Sequence, residues 1–153
     1  MRAASITLAG AALLSLAAAR PTGKLESRAI CHDVHFITAR GSFNPYPDVQ
    51  DNDLVPMVCG KVLGSCGYED VIYPANPADG PLYCSHSETP GAIAARNQLN
   101  AYAAACPGTK VVLSGFSQGA EVIGDVLAGG GGNGCQPGYE PLDVNGAAGR
   151  MSK

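Results

Sequence analysis

Five residues, Gly115-Phe116-Ser117-Gln118-Gly119, constrain this chain more than any other segment. They follow the apolar run Val111-Val112-Leu113 and precede Ala120-Glu121-Val122-Ile123-Gly124-Asp125-Val126-Leu127. A short continuous apolar run fits a strand buried on both faces, and the stretch after the motif has helical spacing. The segment predicts a strand, a sharp turn and a helix, with Ser117 exposed at the turn.

The rest of the chain supplies elements to surround that unit. Val34-His35-Phe36-Ile37-Thr38 is β-prone and closes on Ala39-Arg40-Gly41-Ser42, a first strand and its loop. Phe43 to Asp53 carries Pro45 and Pro47 and predicts a loop. Leu54 to Leu63 predicts a helix with Asp53 as its N-cap. Tyr68 to Tyr73 predicts a second strand, and Pro74 to Ser87 a long loop. Thr89 and Pro90 predict the N-cap and first position of a helix running to about Ala105. On it Ile93, Leu99 and Tyr102 form an apolar stripe interrupted by Arg96. Lys110 to Ser114 predicts the third strand, and Ser117 to Ala128 a helix with Ala120, Ile123 and Leu127 inward. Gly129 to Gly134 predicts a flexible connection, since the glycines follow a helix and no lysine follows them, unlike a phosphate loop.

Strands alternating with helices give an α/β fold, a central parallel sheet with helices on its faces. Ligands on such sheets bind beyond the carboxyl ends of the strands. Ser42 and Ser117 both fall there, so they are expected to share one crevice.

Residues 1–19 predict a secretory leader: Arg2, an apolar run from Ile6, and the cleavage site Ala17-Ala18-Ala19. At roughly 14 residues the run falls short of the ~20 that span a bilayer, and no other segment is apolar enough. Residues 20–30 read as a polar lead and 31–153 as one domain. The chain has ten Lys+Arg against thirteen Asp+Glu. No basic stripe is present, which argues against nucleic acid as a partner. All six cysteines follow the leader and predict disulfides, in any of 15 pairings. Cys59, Cys66, Cys84 and His86 lack the close paired spacing of a zinc site, so no metal is expected.

A serine at such a turn is built to attack an ester-like carbonyl. It needs a base within hydrogen-bond reach, a group that orients the base, and donors for the oxyanion. The N–H of Gln118 is one natural donor, and Ser42, after an earlier strand, is placed to supply the second.

Three phrases together, Ile37-Thr38-Ala39-Arg40-Gly41-Ser42, Tyr73-Pro74-Ala75 and the stretch from Cys106 to Gly119, resemble the cutinase and acetylxylan esterase family of fungal secreted serine esterases. The resemblance runs from about Cys31 to Cys135. It implies a small α/β-hydrolase fold, a three-layer sandwich. It implies hydrolysis of cutin, acetylated xylan or small esters by a secreted monomer with neither metal nor organic cofactor. It implies Ser117 as nucleophile, Ser42 and Gln118 as oxyanion donors, and a Cys31–Cys106 disulfide. The pairing of Cys59, Cys66, Cys84 and Cys135 stays open.

The chain departs from that pattern after Ser117. The family's acid and histidine lie well downstream, whereas the 36 residues after Ser117 hold Asp125, Asp143 and no histidine. Asp125, within a helix, is expected to be solvated, and Asp143 falls too early for the family's acid. His32 and His35 are expected to pack or hydrogen-bond at the first strand, and His86 to sit on a surface loop. The expectation is a chain that stops short, without the triad acid and base or the last strands, which leaves Val111-Val112-Leu113 on an edge. A non-catalytic secreted relative that keeps the turn is the alternative, and another Gly-x-Ser-x-Gly hydrolase such as a lipase is a third reading.

Overall fold

The structure, a computed structural model, describes residues 30–47, 53–77, 82–130, 135, 140–143 and 145–146. The leader, nearly all of the polar lead and most of the glycine run lie outside the described residues. Three strands form one sheet: β1 (Val34–Ala39), β2 (Cys66–Asp70) and β3 (Lys110–Gly115), in the order β2-β1-β3. Both pairings are parallel. Val34 lies opposite Cys66 and Lys110, and Thr38 opposite Asp70 and Ser114. All three carboxyl ends therefore open on the same side.

The alternation along β1 divides the molecule into layers. Phe36 points to one face, where it packs with Val55 of α1 (Leu54–Cys59). Ile37 and Ala39 join the larger core built by α2 (Thr89–Ala105) and α3 (Gln118–Ala128). This is the predicted three-layer α/β sandwich. Fully burying a side chain such as Phe36, Ile37 or Val122 contributes roughly 1.5–3 kcal/mol. The helices come close because α2 shows small residues to the core: Gly91, Ala92, Ala95 and Ala103. A Cβ on Gly91 would lie 2.7 Å from Tyr73 Cδ2 and 2.8 Å from Val122 Cγ2.

Several elements differ from the sequence expectation. The second strand covers Cys66–Asp70 rather than Tyr68–Tyr73. After Asp70 the carbonyls of Val71, Tyr73 and Pro74 turn to the Arg40 guanidinium instead of continuing the ladder. The first helix ends at Cys59 rather than Leu63, because Gly60 caps it and a disulfide draws Cys59 back to Cys66. Thr89 does not cap α2. A π-helical turn, Cys84–Glu88, runs directly into it, and the Thr89 hydroxyl bonds Glu88 Oε2 at 3.1 Å. That turn occupies the end of the predicted Pro74–Ser87 loop.

On α2 the buried stripe keeps Leu99 and Tyr102, but Ile93 is exposed. On α3 the buried face is Gln118, Gly119, Val122, Ile123, Asp125 and Val126, whereas Ala120 and Leu127 face outward. Asp125 is thus buried, not solvated.

Three disulfides close the fold: Cys31–Cys106, Cys59–Cys66 and Cys84–Cys135. The first is the pair the resemblance implied. The sulfurs of Cys59, Cys66 and Cys84 are thereby committed to S–S bonds, which removes the thiolates a metal would need.

Candidate active site

The carboxyl ends of β1 and β3 are joined where the chain turns. Phe116 N–H donates to the Ala39 carbonyl at 3.1 Å, so the turn after β3 sits on the end of β1. Ser117 follows with φ 52° and ψ −121°, and α3 begins at the next residue. A side-chain-bearing residue in that region is held against its preference by its surroundings, at an expense of order 1–3 kcal/mol. The motif glycines create those surroundings. A Cβ on Gly115 would overlap the Gly119 carbonyl, and a Cβ on Gly119 would overlap the carbonyl of Ala39. Strand and helix approach this closely only with hydrogen at both positions.

The loop after β1 lies against the turn. A Cβ on Gly41 would stand 2.9 Å from Phe116 Cδ1 and 3.3 Å from Ser117 Cβ. The next residue is Ser42, whose Oγ is buried with no hydrogen-bond partner. An unpartnered buried hydroxyl is costly unless something else uses it. Gln118 opens α3, where the first N–H groups have no intrahelical acceptor. Its side chain is fixed: Nε2 donates to the Asn76 carbonyl at 2.8 Å and Oε1 accepts from Ser87 Oγ at 2.9 Å. Ser87 Oγ also accepts from Asn76 N–H at 2.7 Å. The geometry thus gathers Ser42, Ser117 and Gln118 at one end of the sheet, as the sequence predicts.

Beside this cluster is a cavity of about 300 Å³ lined by Asn76, Pro77, Leu82, Tyr83 and His86. The Tyr83 hydroxyl bonds Glu121 of α3. Burial and the Glu121 carboxylate push that phenol well above its ordinary range. His86 is exposed, with Nδ1 2.8 Å from Ser85 Oγ. The other two histidines sit toward the amino ends of the strands. His35 stacks on Tyr102 at 3.8 Å between ring centroids and lies 3.4 Å from Glu69 Oε1. Burial alone would raise the Glu69 carboxyl, but hydrogen bonds from His35 and Gln98 outweigh it and hold the carboxyl below its usual range. His32 N–H donates to the Tyr102 hydroxyl at 3.2 Å. His32 and His35 therefore have the packing and hydrogen-bonding roles expected of them.

Two features escaped the sequence. One is Arg40, buried beneath the Gly41-Ser42 loop. Its position at the end of a strand, next to Gly41, was the available signal. The other is a buried acid pair. Glu88 is fully buried with Oε1 unpartnered, and Asp125 Oδ2 is likewise unpartnered. Burial, reinforced by the neighbouring Asp125 carboxyl, pushes the Glu88 carboxyl up to about 7. Nothing local marks this pair, because its members come from different elements.

The sequence model of the Cutinase family matches residues 30–147. The chain belongs to the Cutinase family. Family relatives are ester hydrolases by name. A cutinase of Coprinopsis cinerea is 35% identical over 119 residues, which cover 76% of this chain and 57% of the relative. Acetylxylan esterase 2 of Talaromyces purpureogenus is 33% identical over 133 residues, 84% of this chain and 53% of the relative. The solved catalytic core domain of acetyl xylan esterase from Trichoderma reesei superposes with a TM-score of 0.66 at 28% identity, covering 78% of this chain and 60% of that one. The chain thus spans between half and three-fifths of the length of these relatives.

Proposed function

We propose that the chain is the nucleophile-bearing part of a secreted carboxylic-ester hydrolase that works through an acyl-enzyme on Ser117. The observation that carries this is the conformation of Ser117. A non-glycine residue is held at φ 52° between a strand and a helix, with the Gly41-Ser42 loop against it. In this reading Ser117 Oγ attacks the ester carbonyl. The oxyanion that forms takes hydrogen bonds from the Gln118 N–H and from Ser42, whose hydroxyl has no partner among the described residues. Collapse expels the alcohol and leaves an ester on Ser117, and water releases the acid. Donors already in place stabilise the transition state without reorganisation, and losing one typically lowers the rate ~100- to 1000-fold.

The base and its orienting acid belong, in this reading, to chain that the longer relatives have beyond the matched residues, in the order Ser, Asp, His usual for this kind of turn. Support comes from His32 and His35, which lie toward the other end of the sheet; His86 lines the neighbouring cavity and is exposed there. Cutin, acetylated xylan and small esters are the substrate classes, taken from the names of the relatives and the family resemblance. Secretion is supported by the leader sequence and the three disulfides.

A fluorophosphonate probe tests the reading. It is expected to label Ser117, faster with added imidazole as a surrogate base, and Ser117→Ala is expected to abolish the label. With no labelling and no turnover of p-nitrophenyl acetate, with or without imidazole, the second reading takes over. That reading is a non-catalytic secreted relative that keeps the turn.

A further inference from the structure

We infer that Arg40 is a positioning residue: its buried guanidinium clasps the loop carrying Ser42 to the segment 71–76 that anchors Gln118, and so sets the two oxyanion donors relative to each other. The inference rests on the roles proposed above for Ser42, Ser117 and Gln118.

Arg40 follows β1 directly and is 7% exposed. No carboxylate pairs with it among the described residues; its donors are spent on backbone carbonyls. Nε donates to Asn44 O at 3.1 Å, Nη1 to Val71 O at 3.4 Å, and Nη2 to Tyr73 O and to Pro74 O, the latter at 3.2 Å. The rings of Tyr46 and Tyr73 flank the cation, with centroids 5.5 Å and 4.9 Å from Cζ. Tyr73 returns a hydrogen bond from its hydroxyl to the Arg40 carbonyl. One planar group therefore joins two loops that no strand ladder connects.

Both loops need holding. Phe43 and Ala75 have φ values of 65° and 51°, a region that side-chain-bearing residues occupy only when their surroundings impose it. The Phe43 N–H donates to the Ala75 carbonyl at 3.2 Å, so the two strained residues face each other across the clasp. Ser42 lies between Arg40 and Phe43. Asn76, next to Ala75, accepts from the Gln118 side chain. Releasing the guanidinium frees the Ser42 loop from the segment to which Gln118 stays tied. Lysine cannot substitute, because a compact ammonium with three donors does not span Asn44 and the Val71–Pro74 carbonyls together.

The test uses Arg40→Lys and Arg40→Met, read by amide hydrogen exchange and by fluorophosphonate labelling of folded protein. Phe43 N–H exchange is expected to rise at least tenfold in both variants, while Ile37 and Leu99 change far less. Labelling of Ser117 is expected to slow by about a hundredfold, the scale of a lost oxyanion donor. Uniform acceleration across Phe43, Ile37 and Leu99 would make Arg40 a stability residue only and overturn the inference. Unchanged Phe43 exchange, or labelling at the wild-type rate, would also overturn it. If Arg40→Met does not fold, Arg40→Lys decides. If wild-type protein does not label, the esterase reading falls, whereas the exchange pattern still decides whether Arg40 clasps the two loops.

Discussion

Ser117 is the residue where local preference and overall structure disagree. Its left-handed φ favours glycine, so Ser117→Gly is expected to stabilise the fold by about 1 kcal/mol relative to Ser117→Ala, while both lose probe labelling. Urea unfolding of the two variants checks this, and equal stabilities would show that the turn carries no strain. Gly119→Ala is expected to act in the opposite direction. Its methyl would drive into the Ala39 carbonyl and part α3 from β1, lowering stability by ~2 kcal/mol or more in the same measurement. These positions were legible in the sequence because their demands are local: a motif of five residues encodes a close approach between adjacent elements. Arg40 was not legible in the same way. Three of its four hydrogen bonds reach carbonyls over 30 residues away, in Val71, Tyr73 and Pro74, and no spacing rule reports that.

Among the elements, the junction of the π-helical turn with α3 is set to respond to pH. Glu88 holds its proton more tightly in the folded protein than in the unfolded chain, where a pKa near 4.5 applies. Between about 4.5 and 7 the folded state therefore binds more protons, and stability falls as pH rises through that window. The loss is expected to be on the order of 2 kcal/mol, given the shift and a discount for screening. Urea midpoints at pH 5 and pH 8 measure it, and Glu88→Gln is expected to flatten the difference; a slope unchanged in that variant would assign the effect to another group. Strands and helices were legible in existence and order, less so in detail. Outward-facing Ala120 and Leu127 show why. The turn at Ser117 sets the phase of α3 by aiming Gln118 and Gly119 inward, and Val122 and Val126 follow at helical spacing. Counting apolar residues could not reveal that phase. Nor could it place Asp125 inside, since its partner Glu88 comes from the π-helical turn.

For the whole molecule, the disulfides rank by the loops they close. Cys31–Cys106 spans 75 residues and Cys59–Cys66 spans 7. Loop-closure entropy gives about 4 and about 2 kcal/mol, so the double serine variant of the first pair is expected to lose about twice the stability of the second in denaturant unfolding. Equal losses would show that native packing, not loop length, sets the effect. The layered α/β architecture was legible because it rests on alternating apolar patterns. The two remaining cysteine pairs were not, because pairing is a property of distance in space.

The interleaving of those pairs has a consequence for how the chain is made. As it emerges from the amino end, Cys31 meets Cys59, Cys66 and Cys84 before its native partner Cys106 exists. The Cys59–Cys66 bond, closing first, removes two of these three wrong partners at once. Cys84–Cys135 joins last, after α3 and the turn at Ser117 are complete. The segment that bears Ser117 is therefore the final one to be fastened, and acid-trapping of nascent disulfides should find the bonds in that temporal order.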